Sequence, residues 1–183
     1  MSSKTSTPTQ YGSVAIAIHW LSAIVIAVLI ILGLIGADLS NDSSVKPLML
    51  AVHMVLGVTI LLLTLGRVAW WRFADRRPDP VAGMPEWQET VARLVHILLY
   101  VAVLALAGTG IALVATSGAV PVLFGSEGTL PNFWDFGPRL PHRIIAFALI
   151  GLMFFHIGAA IYHQAVMKDR LMDRMLRARP GQR

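Results

Sequence analysis

Four long apolar runs dominate the chain, over approximately residues 14–37, 48–71, 91–116 and 144–166. A helix needs about 20 mainly apolar residues to cross a bilayer's hydrocarbon core. Every run meets that length, and none is interrupted by a carboxylate. The pattern predicts an all-α protein, an integral membrane four-helix bundle forming one domain over residues 1–183. The polar segments between the runs are unequal. "DLSNDSSVKP" is short, so the first two helices should be antiparallel neighbours. "RFADRRPDPVAGMPEWQE" is rich in proline and charge, and "SGAVPVLFGSEGTLPNFWDFGPRLP" is the longest connection. The opening "MSSKTSTPTQ" is polar and is expected to fray.

Composition adds the solvent. The 183 residues are 56% hydrophobic and only 14% charged, where a soluble domain carries roughly 25% charged residues. Lipid must cover the excess. The first run is too long for the apolar region of a cleaved signal peptide and lacks a clean A-x-A-like site after it. Basic residues set the expected topology. Arg72, Arg76 and Arg77 follow the second run, and Lys168, Arg170, Arg174, Arg177, Arg179 and Arg183 follow the fourth. The opposite side holds Lys46, Arg139 and Arg143 beside Asp38, Asp42, Glu127 and Asp135. Both termini should therefore be cytoplasmic, in a multi-pass membrane protein. The net charge of +5 mostly reflects this bias and does not point to nucleic acid. Trp70, Trp71 and Trp87 on the inner side, and Phe133, Trp134 and Phe136 on the outer side, are expected to form interfacial belts. The absence of cysteine excludes disulfides, iron–sulfur clusters and covalently attached c-type haem.

The candidate chemistry lies in six histidines, all in or at the ends of the runs. Polar groups at membrane depth are costly and usually functional. His142 and His156 are fourteen residues apart, about 21 Å along a helix axis and within about 40° of a whole number of turns. They share a face near opposite membrane surfaces. His53, about five residues into the second run, matches the depth of His142, and His19, about five residues into the first, matches His156. Neutral imidazole is a standard axial ligand of haem iron. Two such pairs would hold two b-type haems, each with both axial positions filled, which favours electron transfer over oxygen chemistry. Gly57, Gly108, Gly110 and Gly158 are near enough in sequence to admit a flat macrocycle or to serve helix packing. His163 lies seven residues beyond His156, below the inner site, where it could serve a quinone. His96 remains open among an inner haem ligand, a quinone contact and an interfacial histidine. Arg67 or Arg72 could pair with haem propionates or simply anchor the inner side.

Four stretches carry a family resemblance: "IAIHWLSAIVI", "KPLMLAVHMVLGV", "LTLGRVAWW" and "PHRIIAFALIGLMFFHIGAAIYH". They resemble the bacterial cytochrome b-561 family, which is also similar to the haem subunits of membrane hydrogenases and formate dehydrogenases. The resemblance covers nearly the whole chain. It implies two haem b groups, the outer between His53 and His142 and the inner between His19 and His156, in preference to His96. Short stand-alone members resemble superoxide oxidase, which implies electrons taken from periplasmic superoxide and passed to ubiquinone. Lys46 and Arg139 would then form a cationic entry at the outer rim, with Asp135 and Glu127 nearby opposing it. The alternative the resemblance allows is a cytochrome b subunit fed by a docked partner such as a hydrogenase or dehydrogenase. A third reading, a small transporter with a histidine relay, would need no haem.

Overall fold

A computed structural model describes residues 3–81 and 83–176; Arg177, Arg179 and Arg183 of the basic tail lie outside the described residues. The chain is helical throughout, and among the described residues the sole β-type pairing is an isolated bridge between Thr7 and Gln10. Four helices are long and apolar enough to span a membrane: α1 (Ser13–Asp38), α2 (Lys46–Phe73), α3 (Glu86–Ser117) and α5 (Arg139–Tyr162). The last runs on through a π-helical turn at His163–Met167. A single turn, α4 (Val120–Leu123), and a 3-10 turn at Phe133–Asp135 interrupt the α3–α5 connection; α6 (Asp173–Leu176) closes the described chain.

The helices exceed the apolar runs at their polar ends. Helix α3 starts five residues before its run because Glu86 and Glu89 occupy its first turn, where carboxylates oppose the positive end of the helix dipole. Helix α5 starts at Arg139, and Pro141 is tolerated there because first-turn N–H groups have no partner within a helix. Large apolar side chains point outward, with Leu62 63% and Phe154 75% exposed. Exposure on that scale fits a protein whose outer solvent is lipid.

The chain forms two compact units, each drawing a segment from all four long helices. Unit one comprises Met1–Ala23, Leu63–Tyr100 and Gly151–Arg183. Its opening segment is tied down rather than frayed. The Ser6 N–H and hydroxyl both donate to the Asp75 carboxylate, which also accepts from the Trp70 indole. The Gln10 amide donates to the carbonyls of Asp173 and Arg174, and the Asp79 N–H to that of Pro8. Gly12 permits this closure: a Cβ there would sit 2.4 Å from the Lys4 carbonyl oxygen. Unit two comprises Ile24–Leu62 and Val101–Ile150. Its small core joins Ala51, Ala119, Leu123 and Leu130, with Phe133 packed against them. Phe133 therefore faces protein, and of the expected outer aromatics Trp134 and Phe136 remain available to an interface.

Candidate functional site: two imidazole pairs

In unit two, α2 presents His53 to His142 of α5. The ring centroids are 6.3 Å apart and the planes cross at 65°. Both rings rest against glycine on a neighbouring helix. A Cβ at Gly33 of α1 would lie 3.2 Å from Cε1 of His53, and one at Gly110 of α3 would lie 3.3 Å from Cε1 of His142. The His142 Nδ1 is 3.0 Å from the Thr109 hydroxyl, while the His53 Nδ1 is buried without a partner.

In unit one, α1 presents His19 to His156 of α5, with centroids 6.3 Å apart and planes at 63°. His96 of α3 lies closer to His156, at 5.1 Å and 86°. A carbonyl can only accept, so the His96 Nδ1 donates to Ala92 O at 2.6 Å and its Nε2 holds the lone pair. Arg67 of α2 reaches His19: its Nη2 donates to Nδ1 at 3.2 Å. A guanidinium has no acceptor, so the His19 Nδ1 carries a lone pair in this contact. Arg67 also lies 5.7 Å from the Tyr100 ring centre, and its Nε is buried without a partner. Arg72 instead lies over Phe73 at the end of α2. Arg67 is thus the arginine beside an imidazole pair.

The spacing can be tested against ligation. With metal–imidazole bonds of about 2 Å and a nitrogen about 1 Å from its ring centre, two rings across one metal stand about 6 Å apart. Both 6.3 Å pairs fit this span, and the 5.1 Å His96–His156 contact is about an ångström too short. The spacing of both pairs therefore suits bis-imidazole sites, and ligation through Nε2 of His19 would require Arg67 to release its Nδ1.

Comparison with known proteins gives the family. The sequence model for the prokaryotic cytochrome b561 family matches residues 10–178. The chain belongs to the prokaryotic cytochrome b561 family. It is 28% identical to cytochrome b561 homolog 2 of Escherichia coli over 94% of both chains. It is 30% identical to cytochrome b561 homolog 1 of the same organism, over 91% of this chain and 97% of the relative. A probable superoxide oxidase CybB from Yersinia pestis is 27% identical over 94% of this chain and 98% of its own. As a cytochrome b561, the protein is a multi-pass membrane electron-transfer cytochrome that takes haem b.

The other sequence-derived residues fall as follows. Lys46 is turned inward, 7% exposed, its ammonium donating to Leu39 O and Asn41 Oδ1, both at 2.7 Å. It thus caps the α1–α2 loop of this cytochrome b561. Arg139 lies 4.8 Å above the Trp134 ring and Arg143 5.4 Å from it. His163 is bonded through Nδ1 to Asp169, whose second oxygen accepts the Leu171 N–H. Around that carboxylate Lys168 and Arg170 adopt positive φ, 55° and 60°, a strained conformation for residues with a Cβ. Gly57, Gly108 and Gly158 would meet nothing within 4 Å, so Gly110 is the one of the four expected glycines that touches a histidine. Sequence reasoning missed Gly33, Thr109 and Asp169. The "GTG" at 108–110 was the available signal for Thr109, a hydroxyl flanked by the smallest residues at the depth of a membrane histidine.

Proposed function

We propose that this cytochrome b561 holds two haem b groups and moves electrons across the bacterial inner membrane from periplasmic superoxide to ubiquinone. His53 with His142 would hold the outer group, and His19 with His156 the inner one. The observation that carries this reading is the equal spacing of the two pairs, 6.3 Å in each. Bound haem b would supply the one-electron exchange that no side chain here provides. The protein supplies ligation, orientation and field. Two imidazoles at each site would leave no ligand position open for oxygen, which suits such a site to electron transfer.

Three cations, Lys46, Arg139 and Arg143, give the outer end of unit two a positive field that raises the local concentration of a small anion. Arg143 is exposed and Arg139 half-buried, both against Trp134, so these two are the reachable charges, with Lys46 contributing from beneath the loop. Two superoxide anions give up one electron each and leave as oxygen. A quinone takes both electrons with two protons and becomes quinol. His163, hydrogen-bonded to Asp169, is the residue set to hold one of those protons, and His96, with a free Nε2, is a second candidate to face the quinone. Similarity to the probable superoxide oxidase of Yersinia pestis supports the donor.

The test is stopped-flow absorbance of the oxidised, purified protein mixed with superoxide, with haem content measured on the same sample. Near-diffusional reduction that slows with salt, and slows roughly tenfold in Arg139→Gln with Arg143→Gln, is expected. Sluggish reduction of a protein that carries two haems would move the assignment to a subunit fed by a docked partner. The exposed Phe124 and Trp134 of the α3–α5 connection would then be the surface to examine.

A further inference from the structure

We propose that Thr109 fixes the ring of His142 in the tautomer that ligates iron, and so acts as a positioning residue for the outer haem. The inference rests on the assignment of His142 as a ligand. It starts from a proton count. A hydroxyl has one proton to give and two lone pairs to receive. The Thr109 hydroxyl lies 2.8 Å from the Ala105 carbonyl and 3.1 Å from that of Leu106, the usual back-bond of a threonine within a helix. Its proton is committed there, since a carbonyl has none to offer. The hydroxyl oxygen therefore accepts at its third contact, from the His142 Nδ1–H at 3.0 Å.

A neutral imidazole with its proton on Nδ1 has its lone pair on Nε2. That is the tautomer an axial ligand requires, and the outer-shell hydrogen bond also strengthens the ring as a donor to the metal. Gly110, the next residue, completes the seat. With no Cβ it lets the ring lie flat against α3, where any side chain would sit 3.3 Å from Cε1 and 3.7 Å from Nδ1. Thr109 thus sets the proton and Gly110 the position. The Leu106 carbonyl also faces the His142 ring and the Leu29 carbonyl the His53 ring, so the Thr109 hydroxyl is the acceptor that His142 alone has.

The experiment compares wild type, Thr109→Val, Thr109→Ser and His142→Ala, purified from membranes in detergent. Haem per polypeptide and the midpoint potential of each haem component are measured. Valine keeps the shape and removes the hydroxyl, leaving only the Leu106 carbonyl at the ring; serine keeps the hydroxyl. Thr109→Val should raise the potential of one component, the one missing in His142→Ala, and leave the other unmoved. It should also weaken retention of that haem by roughly 10- to 100-fold. Thr109→Ser should restore both. Wild-type potentials and haem retention in Thr109→Val, or equal perturbation by serine and valine, would overturn the proposal. If the valine variant does not accumulate, Thr109→Ala against Thr109→Ser makes the same comparison of hydroxyl absent and present. Two haems retained in His142→Ala would refute the ligand assignment itself, a separate readout from the Thr109 potentials.

Discussion

The two imidazole pairs have the same geometry and different contacts. Spacing and crossing angle agree, 6.3 Å and 65° in unit two against 6.3 Å and 63° in unit one. In contact with the unit-two pair are two glycines and a threonine hydroxyl, with Arg139 one turn before His142 on α5, and the hydrogen bond offered to Nδ1 is an acceptor. Around the unit-one pair stand a third histidine and an arginine, and the group offered to Nδ1 is a charged donor. Ligation demands only the spacing, so the spacing is common. The surroundings of a bound haem would set its potential, and the contacts at the two pairs differ. An acceptor on a ligand makes it a stronger donor and favours ferric iron. A guanidinium a few ångströms away favours the ferrous state, which carries one positive charge fewer. With haem bound at both pairs, the His142 acceptor and the guanidinium beside His19 would favour electron transfer from the unit-two site to the unit-one site, the direction the proposed function needs.

The largest break in this comparison comes from α5, which supplies one histidine to each unit. His142→Ala and His156→Ala should each reduce haem from two per chain to one, and the double variant to none, by pyridine haemochrome assay. Two haems surviving in either single variant would reassign that pair. His96 is the natural substitute in unit one, so His156→Ala is the stricter case for His19 and His96→Ala should leave the haem count at two. Next in size is the charge. Arg67→Gln removes it and should lower the potential of one haem component by something on the order of 50 mV, with the other component unchanged. The wild-type components should themselves be resolved, the unit-two haem at the lower potential. An unchanged potential in Arg67→Gln would mean that Arg67 leaves His19 when haem binds. Nε2 ligation with a proton on Nδ1 gives that guanidinium nothing to donate to.

Much of this was legible in the sequence, and what was not has physical reasons. Depth in a membrane helix is residue count times rise, so arithmetic matched His53 with His142 and left His19 and His96 as alternative partners of His156, a choice that only the family resemblance made. The partners of those rings depend on helix rotation, which no count supplies. Thr109 and Arg67 were visible as residues and invisible as neighbours. Gly57 and Gly158 lie on a histidine's own helix, whereas the rings rest on glycines of a neighbouring helix, of which Gly110 was legible in the sequence and Gly33 was not. Lys46 was legible as a charge, but its loop acceptors, Leu39 O and Asn41 Oδ1, were not. The apolar runs mark the hydrocarbon and the helices end where caps and charges stop them, which is why α3 and α5 begin five residues before their runs. The opening ten residues read as frayed because they are polar. The order of Ser6 and Gln10 comes from acceptors far along the chain, at Asp75, Asp173 and Arg174.

That last contact gives the smallest and most local difference between the units, because the N-terminal strap belongs to unit one alone. Burial pushes the Asp75 carboxyl up, but hydrogen bonds from the Ser6 N–H and hydroxyl, the Arg76 N–H and the Trp70 indole outweigh it and hold the group below the ordinary carboxylate range. A group whose folded value is depressed stabilises the fold above its unfolded value. That contribution is complete at neutral pH and is lost as pH falls below about 4. Hydrogen exchange at the Ser6 and Gly12 amides, corrected for the intrinsic pH dependence, should therefore accelerate several-fold on acidification through that range. The amides around Leu123 and Leu130 in unit two, which have no such carboxylate anchor, should keep their protection. Asp75→Asn should bring the same acceleration at pH 7 and leave both haems in place. Equal loosening of both units in acid would mean that the strap is held by Gln10 and Gly12, with Asp75 incidental to it.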